Sequence, residues 1–360
     1  MLQDRFFHQK TDVLYPIKKP LSASSTPTAK EQSEAIGGKF TRIAHGLPDY
    51  AVANFSPCLT EHKGEKHIVW RTQPEPFVFR WDQKYFYNNE RPTEVFLGQL
   101  ESDSKIVNAH SIRPGRHRMS YEDPRLFVAS DGGLYCQWIS STYASQYARE
   151  GESRRFFDDP KVWASPIEDG YATRAVHPPQ GGNRVKGQQE KNWCYFTHNG
   201  ITKLLYSTIP LIVIEEEGQT RQIPSRHLRH VTGQHATFNS TAPIPFGNEH
   251  LVFYHWKHMD NMEDGRAYLK YHTSAYILDE QMTKIKYMVK KPLWSGSLED
   301  RVVWWTTSQG QKLSTQPACV LPFGGILEGG ELVMPMGVND AWMGIFRCKL
   351  ENLLAHMETT

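Results

Sequence analysis

The chain has 360 residues, with 41 Lys and Arg against 39 Asp and Glu, so its formal net charge is only +2. That balance excludes a sequence-wide polyanion binder, and the basic segments are too scattered to signal a nucleic-acid surface. Aromatic residues make up 12% of the chain, which suits β-strands and also offers ring faces on which a pyranose can stack.

The first residues, "MLQDRFFHQKTDVLYPIKK", lack the apolar centre of a signal peptide. No apolar run reaches the length needed to cross a bilayer. From Leu21 to Lys39 the chain is rich in Ser, Thr and Pro and nearly free of large apolar residues, which reads as a linker or mobile arm. Residues 1–48 are therefore expected to form an irregular N-terminal arm, through which oligomers are conceivable, and residues 49–360 a single domain. The cysteines Cys58, Cys136, Cys194, Cys319 and Cys348 are odd in number, far apart and without a CxxC pair. They read as free thiols of a reducing compartment, so a cytoplasmic location is expected.

Beyond the arm, strand signals follow one another in short runs broken by Gly, Asn, Asp and Pro. They include "KHIVWRTQ", "TEVFLGQL", "RLFVAS", "LYCQWISSTY", "NWCYFTH", "LIVIEE", "HLVFYHW", "YLKYHTSAYIL", "ELVMPMGV" and "WMGIFRC". Only "FRCKLENLLAHM" at the C-terminus has a helical look, or else ends a strand and starts one short helix. The pattern predicts an all-β chain joined by hairpins. Polar motifs near Asn54, Glu122, Glu190, Thr241 and Gly337 each lead into aromatic strands. Their spacing of roughly 60–70 residues suits propeller blades with long loops. A β-sandwich is the competing architecture.

Read in order, these motifs resemble the β-mannoside phosphorylases and hydrolases of glycoside hydrolase family 130 and the related mannosyltransferases of glycosyltransferase family 108. "NFSPCLTEHKGEKHIVWR" carries Asn54, Pro57 and Arg71 of an Asn-x-x-Pro motif with a following aromatic-Arg strand end. "YEDPRLF" matches Glu-Asp-Pro-Arg, "EKNWCYF" resembles Glu-Lys-Asn-Trp, and "MPMGVNDAW" is similar to a closing Gly-x-Asn-Asp. The fourth motif departs from the pattern. Ser240, Thr241, Ala242 and Pro243 stand where relatives have Gly-Gly-Thr-Pro, which puts the usual phosphate or acceptor contacts there in doubt. The resemblance implies a five-bladed β-propeller whose motif loops meet at one end of a central channel.

It further implies inverting glycosyl transfer or phosphorolysis of a β-mannosidic bond, with Asp123 as the general acid/base acting through a sugar hydroxyl. No cofactor or metal is implied. Phosphate, a sugar 1-phosphate or a sugar nucleotide serves as co-substrate, held by Arg71, Arg125, Lys191 and His255 because forked guanidinium and point-charge ammonium groups both suit phosphate. Glu122 is expected to hold sugar hydroxyls or orient Arg125. Asn54, Asn339 and Asp340 would bind hydroxyls, and Trp193 or Trp256 would supply a stacking face.

Each residue also has a plainer reading. Asp-Pro makes turns, and Arg125 beside it could form an exposed ion pair of little worth. Arg71 and Lys191 at strand ends are equally readable as solvated, His255 and the two tryptophans as core, and Asn339-Asp340 as a hairpin turn. His255, His258 and Asp260, like His227, His230 and His235, are spaced unfavourably for a strand-borne metal site, because residues three apart face opposite ways. Glycine-rich "PPQGGNRVKG" lacks phosphate-loop spacing and reads as an inter-blade loop whose Arg184 and Lys186 could close on an anion. Two rivals stand beside the leading reading: a glycan-binding propeller without turnover, and an inverting glycosidase using water, with Asp340 or Glu190 as its base.

Overall fold

The computed structural model describes residues 15–16, 26–49, 53–73, 78–80, 85–87, 93–112, 119–142, 158–173, 192–215, 218–261, 267–300, 305–306 and 317–360. These residues form antiparallel sheets built almost wholly from sequence-adjacent strands. The first sheet runs in the order Ala53–His62, Glu65–Gln73, Glu94–Ser102, Lys105–Ser111. The second takes Met119–Val128, Leu134–Thr142, Asp158–Glu168 and Tyr171–Ala172. The third takes Cys194–His198, Ile201–Thr208, Leu211–Glu215 and Thr220–Ile223.

The fourth sheet starts with Thr237–Asn239, Glu249–Asn261, Ala267–Leu278 and Ile285–Val289, and the C-terminal strand Met357–Thr359 extends its edge. The fifth pairs Val320–Pro322, Glu331–Val338 and Trp342–Lys349, then ends on Lys39–Arg42 from near the N-terminus. Lending an early strand to the last sheet ties the ring shut and covers an edge that would otherwise stand open.

Apolar alternation on both faces of each sheet explains why they stack. One core lies between the first and second sheets, with Val69 and Val95 against Leu126 and Cys136. Phe127 and Ile139 of the second meet Trp193 and Tyr195 at the third. Leu205 and Val213 meet Val252 and Tyr254 of the fourth. Leu251 and Phe253 meet Met334 and Val338 of the fifth, and Val333 and Ile345 meet Leu59 and Ile68 of the first. The expected β-propeller is therefore present, and a sandwich is not. Counted as blades the ring gives four rather than the five expected, although strand pairing separates five sheets of at least four strands. The fourth and fifth are the two that depart from a plain four-stranded meander.

The N-terminal arm differs from its expectation beyond residue 26. Ala29–Ala35 is a helix opened by a capping box, in which Glu31 N–H donates to Thr28 Oγ1 at 3.2 Å and Thr28 N–H to Glu31 Oε2 at 2.8 Å. Its Ser33 accepts from Trp294 Nε1 at 3.0 Å, and Ala29 N–H donates to Asp300 at 2.7 Å. The Ser/Thr-rich composition concealed this cap. At the other end, Trp342–Lys349 runs into the short helix Leu350–Leu354, the strand-then-helix alternative. No helix among the described residues is long and apolar enough to cross a membrane.

Candidate functional site

The polar motifs share a backbone device. In the first sheet, pairing slips between Phe55 and Cys58, and Ser56 there has φ 53° ahead of Pro57. In the second, pairing slips between Glu122 and Arg125, and Asp123 has φ 48° ahead of Pro124. Proline has no N–H to give a ladder, so a bulge is where a sheet accepts it. Asn192 (φ 64°), Asn339 (φ 52°) and Asp340 (φ 49°) also adopt the left-handed conformation. In the fourth sheet, Ser240 and Thr241 N–H both donate to Phe253 O. Left-handed backbone costs an L-residue about 1–2 kcal/mol, and such strain is tolerated mostly where the surroundings enforce it.

Three carboxylates and one guanidinium gather at these bends. Ser56 Oγ donates to Asp123 Oδ1 at 3.3 Å. Arg71 Nη2 lies 4.0 Å from Glu122 Oε1, and its guanidinium carbon sits 4.8 Å from the centre of the Phe55 ring. Arg71 is only 6% exposed, yet its Nε and Nη2 have no hydrogen-bond partner among the described residues. The Asp340 carboxyl is pushed up to about 6, first by burial and then by the charges of Asp123 and Glu122, against the opposing pull of Arg71. Cys319 Sγ–H points at Asp340 Oδ1, 3.8 Å away. Burial, followed by the charges of Asp340, Cys319, Asp123 and Glu122, drives the phenol of the partly buried Tyr271 well above its ordinary range. Tyr271 therefore belongs to the same electrostatic environment. Lys257 Nζ lies 5.5 Å from the Tyr271 ring and 5.7 Å from that of Phe238.

Several residues expected to bind a ligand have partners inside the protein. Arg125 was expected to hold an anion. It donates to the carbonyls of Ser240, Phe323 (3.2 Å) and Asn239 (3.3 Å), over the Phe323 ring, and so braces the second sheet against the fourth and fifth. Asn54 Oδ1 accepts from Trp70 Nε1 at 3.0 Å and Thr72 Oγ1 at 2.7 Å. Asn339 Oδ1 accepts from Cys319 N–H at 2.8 Å, and its Nδ2 donates to Ser297 O at 3.0 Å. These two amides bind backbone and neighbouring side chains where sugar hydroxyls were expected. Trp193 is 4% exposed and packs on Tyr206, and Trp256 packs on Tyr254 and His272, so both are core residues.

His255 is buried, with Nδ1 2.7 Å from Ser240 Oγ and its ring stacked on Phe238. Lys191, Glu190, Arg184 and Lys186 lie outside the described residues. His258 faces away from His255, as strand alternation requires, and meets His272 Nε2 at 3.2 Å. Among the described residues, no group of three or more His, Cys, Asp and Glu side chains is arranged to hold a metal. Ser56, Tyr271 and Lys257 were not singled out in the sequence, and Cys319 was read only as a free thiol. The repeated Ser-Pro and Asp-Pro pairs could have revealed Ser56, but nothing local distinguishes Tyr271 in an aromatic-rich strand.

Solved structures share this fold. A β-1,2-mannobiose phosphorylase from Listeria innocua, in complex with β-1,2-mannobiose, is 13% identical over 88% of this chain and 96% of its own, with a TM-score of 0.52. MPT-4, a mannose phosphorylase from Leishmania mexicana in complex with phosphate, is 10% identical over 92% and 95%, with a TM-score of 0.54. MPT-1, a GDP-Man-dependent mannosyltransferase from the same organism, is 12% identical over 86% and 90%, also with a TM-score of 0.54. At these identities the likeness establishes the fold. No protein-family model matches the chain, and no curated protein matches it in sequence.

Proposed function

We propose that this chain is a carbohydrate-active enzyme that transfers a glycosyl unit, mannosyl by preference, with inversion and with phosphate or a sugar-phosphate donor as co-substrate. The observation that carries this reading is Arg71. Burying a guanidinium is costly when two of its donor nitrogens are unmatched, as they are here among the described residues, and an anionic ligand would satisfy them. Carboxylates stand beside it, as the glycosidic chemistry requires.

In phosphorolysis, a phosphate oxygen bonds to the anomeric carbon from the face opposite the departing oxygen. The glycosidic C–O bond breaks with its electron pair on the leaving oxygen, which takes a proton originating from Asp123. The products are a sugar 1-phosphate of inverted configuration and a free hydroxyl. Phosphate is itself the nucleophile, so a second catalytic carboxylate is not needed. Arg71 holds the anion, and Glu122, within ion-pair reach of Arg71, restricts where that guanidinium can point.

A second reading, hydrolysis by water, is favoured by one specific feature: the gathering of Asp123, Glu122 and Asp340 about one described arginine. The raised Asp340 carboxyl, at about 6, would suit a base that activates water.

The test combines thermal-shift titrations with turnover assays on wild type, R71Q and D123N. Probes are phosphate, mannose 1-phosphate, GDP-mannose and β-mannosides. Saturation at a hundred times Kd adds about 2.7 kcal/mol to stability. R71Q should lose stabilisation by the anions, and D123N should keep binding and lose turnover. Turnover of β-mannosides without phosphate would shift the assignment to hydrolysis. Binding without turnover of any probe would make the chain a glycan-binding propeller, and full activity in D123N would end the Asp123 assignment.

A further inference from the structure

Given Asp123 as the proton carrier, we infer that Ser56 is its positioning residue. Three observations converge on this serine. Its hydroxyl donates to the Asp123 carboxylate at 3.3 Å. The distance is long for O–H···O, as catalytic hydrogen bonds often are before substrate tightens them. Ser56 is also 3% exposed, so its side of this part-buried contact is closed to water.

The second observation is the backbone. Ser56 at φ 53° and Asp123 at φ 48° occupy matching bulges of neighbouring sheets, each followed by a proline. The bulges turn the two side chains out of their ladders and toward each other. The third is Gly337, from the closing Gly-x-Asn-Asp motif. A Cβ there would come within 2.9 Å of Ser56 N and 3.3 Å of Pro57 Cδ. Glycine thus admits the Ser56 bulge beneath it. Three separated motifs meet at this serine, although none of them advertises it.

The geometry assigns the two carboxyl oxygens different tasks. Oδ1 is held by Ser56 Oγ–H in both protonation states, because a carboxylate oxygen and the carbonyl oxygen of a carboxylic acid both accept. Oδ2 is left to exchange the proton with substrate. The proton leaves Asp123 in the forward step and returns in the reverse one, and the serine O–H bond stays intact throughout.

The left-handed backbone supplies a clean experiment. Glycine is at ease at φ 53°, so S56G removes the hydroxyl without adding strain. Asparagine tolerates the same conformation and restores a donor, so S56N is the rescue variant. The readouts are the 13C resonance of the Asp123 carboxyl at pH 7, assigned by its absence from D123N, and phosphate release from mannose 1-phosphate with mannose as acceptor.

S56G should shift the Asp123 resonance and lower kcat by about tenfold or more at little-changed KM, while its Tm holds. S56N should move both readouts back toward wild type. An unmoved resonance in S56G, or wild-type kcat in that variant, overturns the assignment. If D123N turns over like wild type, the catalytic reading of Asp123 fails, and the resonance still decides whether Ser56 holds that carboxyl.

Discussion

Arg125 donates to the backbone carbonyl of Ser240 across the ring, joining the second sheet to the fourth. Phe323 O, just past the Val320–Pro322 strand of the fifth sheet, shares the same guanidinium nitrogen. The arginine next to the candidate acid is thus a central brace, and its positive charge is spent on carbonyl dipoles. That relationship separates two arginines whose sequence contexts look alike, Arg125 and Arg71.

The separation is measurable. R125A should destabilise the fold by about 3–5 kcal/mol, since it leaves buried carbonyls unmatched and opens a cavity. R71Q should cost far less stability and act mainly on anion binding. Urea unfolding of both variants checks this, and equal losses would refute the division of labour.

The raised carboxyl of Asp340 sets the sign of a pH dependence. Its carboxyl rises from an ordinary 3.8 to about 6 in the fold, chiefly through burial. Between those values the folded chain retains a proton that the unfolded chain releases, so stability is present at low pH and lost as pH rises through about 6. D340N removes this effect. Its Tm should exceed that of wild type above pH 6, and the advantage should disappear near pH 4.

His272 works in the opposite sense. Burial first, then His258, Lys270 and His235, lower it from 6.5 to about 4 against the pull of Asp260. Its neutral form is the one the fold accepts, so stability is present above pH 6.5 and lost as pH falls through about 4. H272Q should reduce the acid-side slope by one proton, about 1.4 kcal/mol per pH unit. His198, His250 and His258 are lowered in the same way and will keep part of the slope.

The fifth sheet is closed by Lys39–Arg42 on Trp342–Lys349. A chain beginning after residue 45 would expose that edge and lose the Ser33–Trp294 and Ala29–Asp300 contacts. It should unfold at a markedly lower temperature and associate through the bare strand, which calorimetry and light scattering would show. A truncated chain with wild-type Tm and a monomeric profile would refute the closure.

The sequence alone determined what depends on local pattern. Short aromatic strands and hairpin spacing determined an all-β chain, the resemblance of five polar entrances to a propeller family implied the ring, and Glu-Asp-Pro-Arg marked the bend that carries Asp123. The Thr28–Glu31 capping box was legible too, but composition masked it. What tertiary structure decided was the employment of each polar side chain. Asn54 and Asn339 are as hydrophilic as any sugar ligand, yet partners from distant strands claim their amides. Arg125 is taken by carbonyls more than a hundred positions along the chain. Ser56, Tyr271 and Cys319 join Asp123 and Asp340 only because neighbouring sheets bring their bends together. Hydrogen-bonding capacity is a property of a residue type. Whether that capacity remains available to a ligand depends on which groups the closed ring places within 3 Å or so, a hydrogen bond's reach.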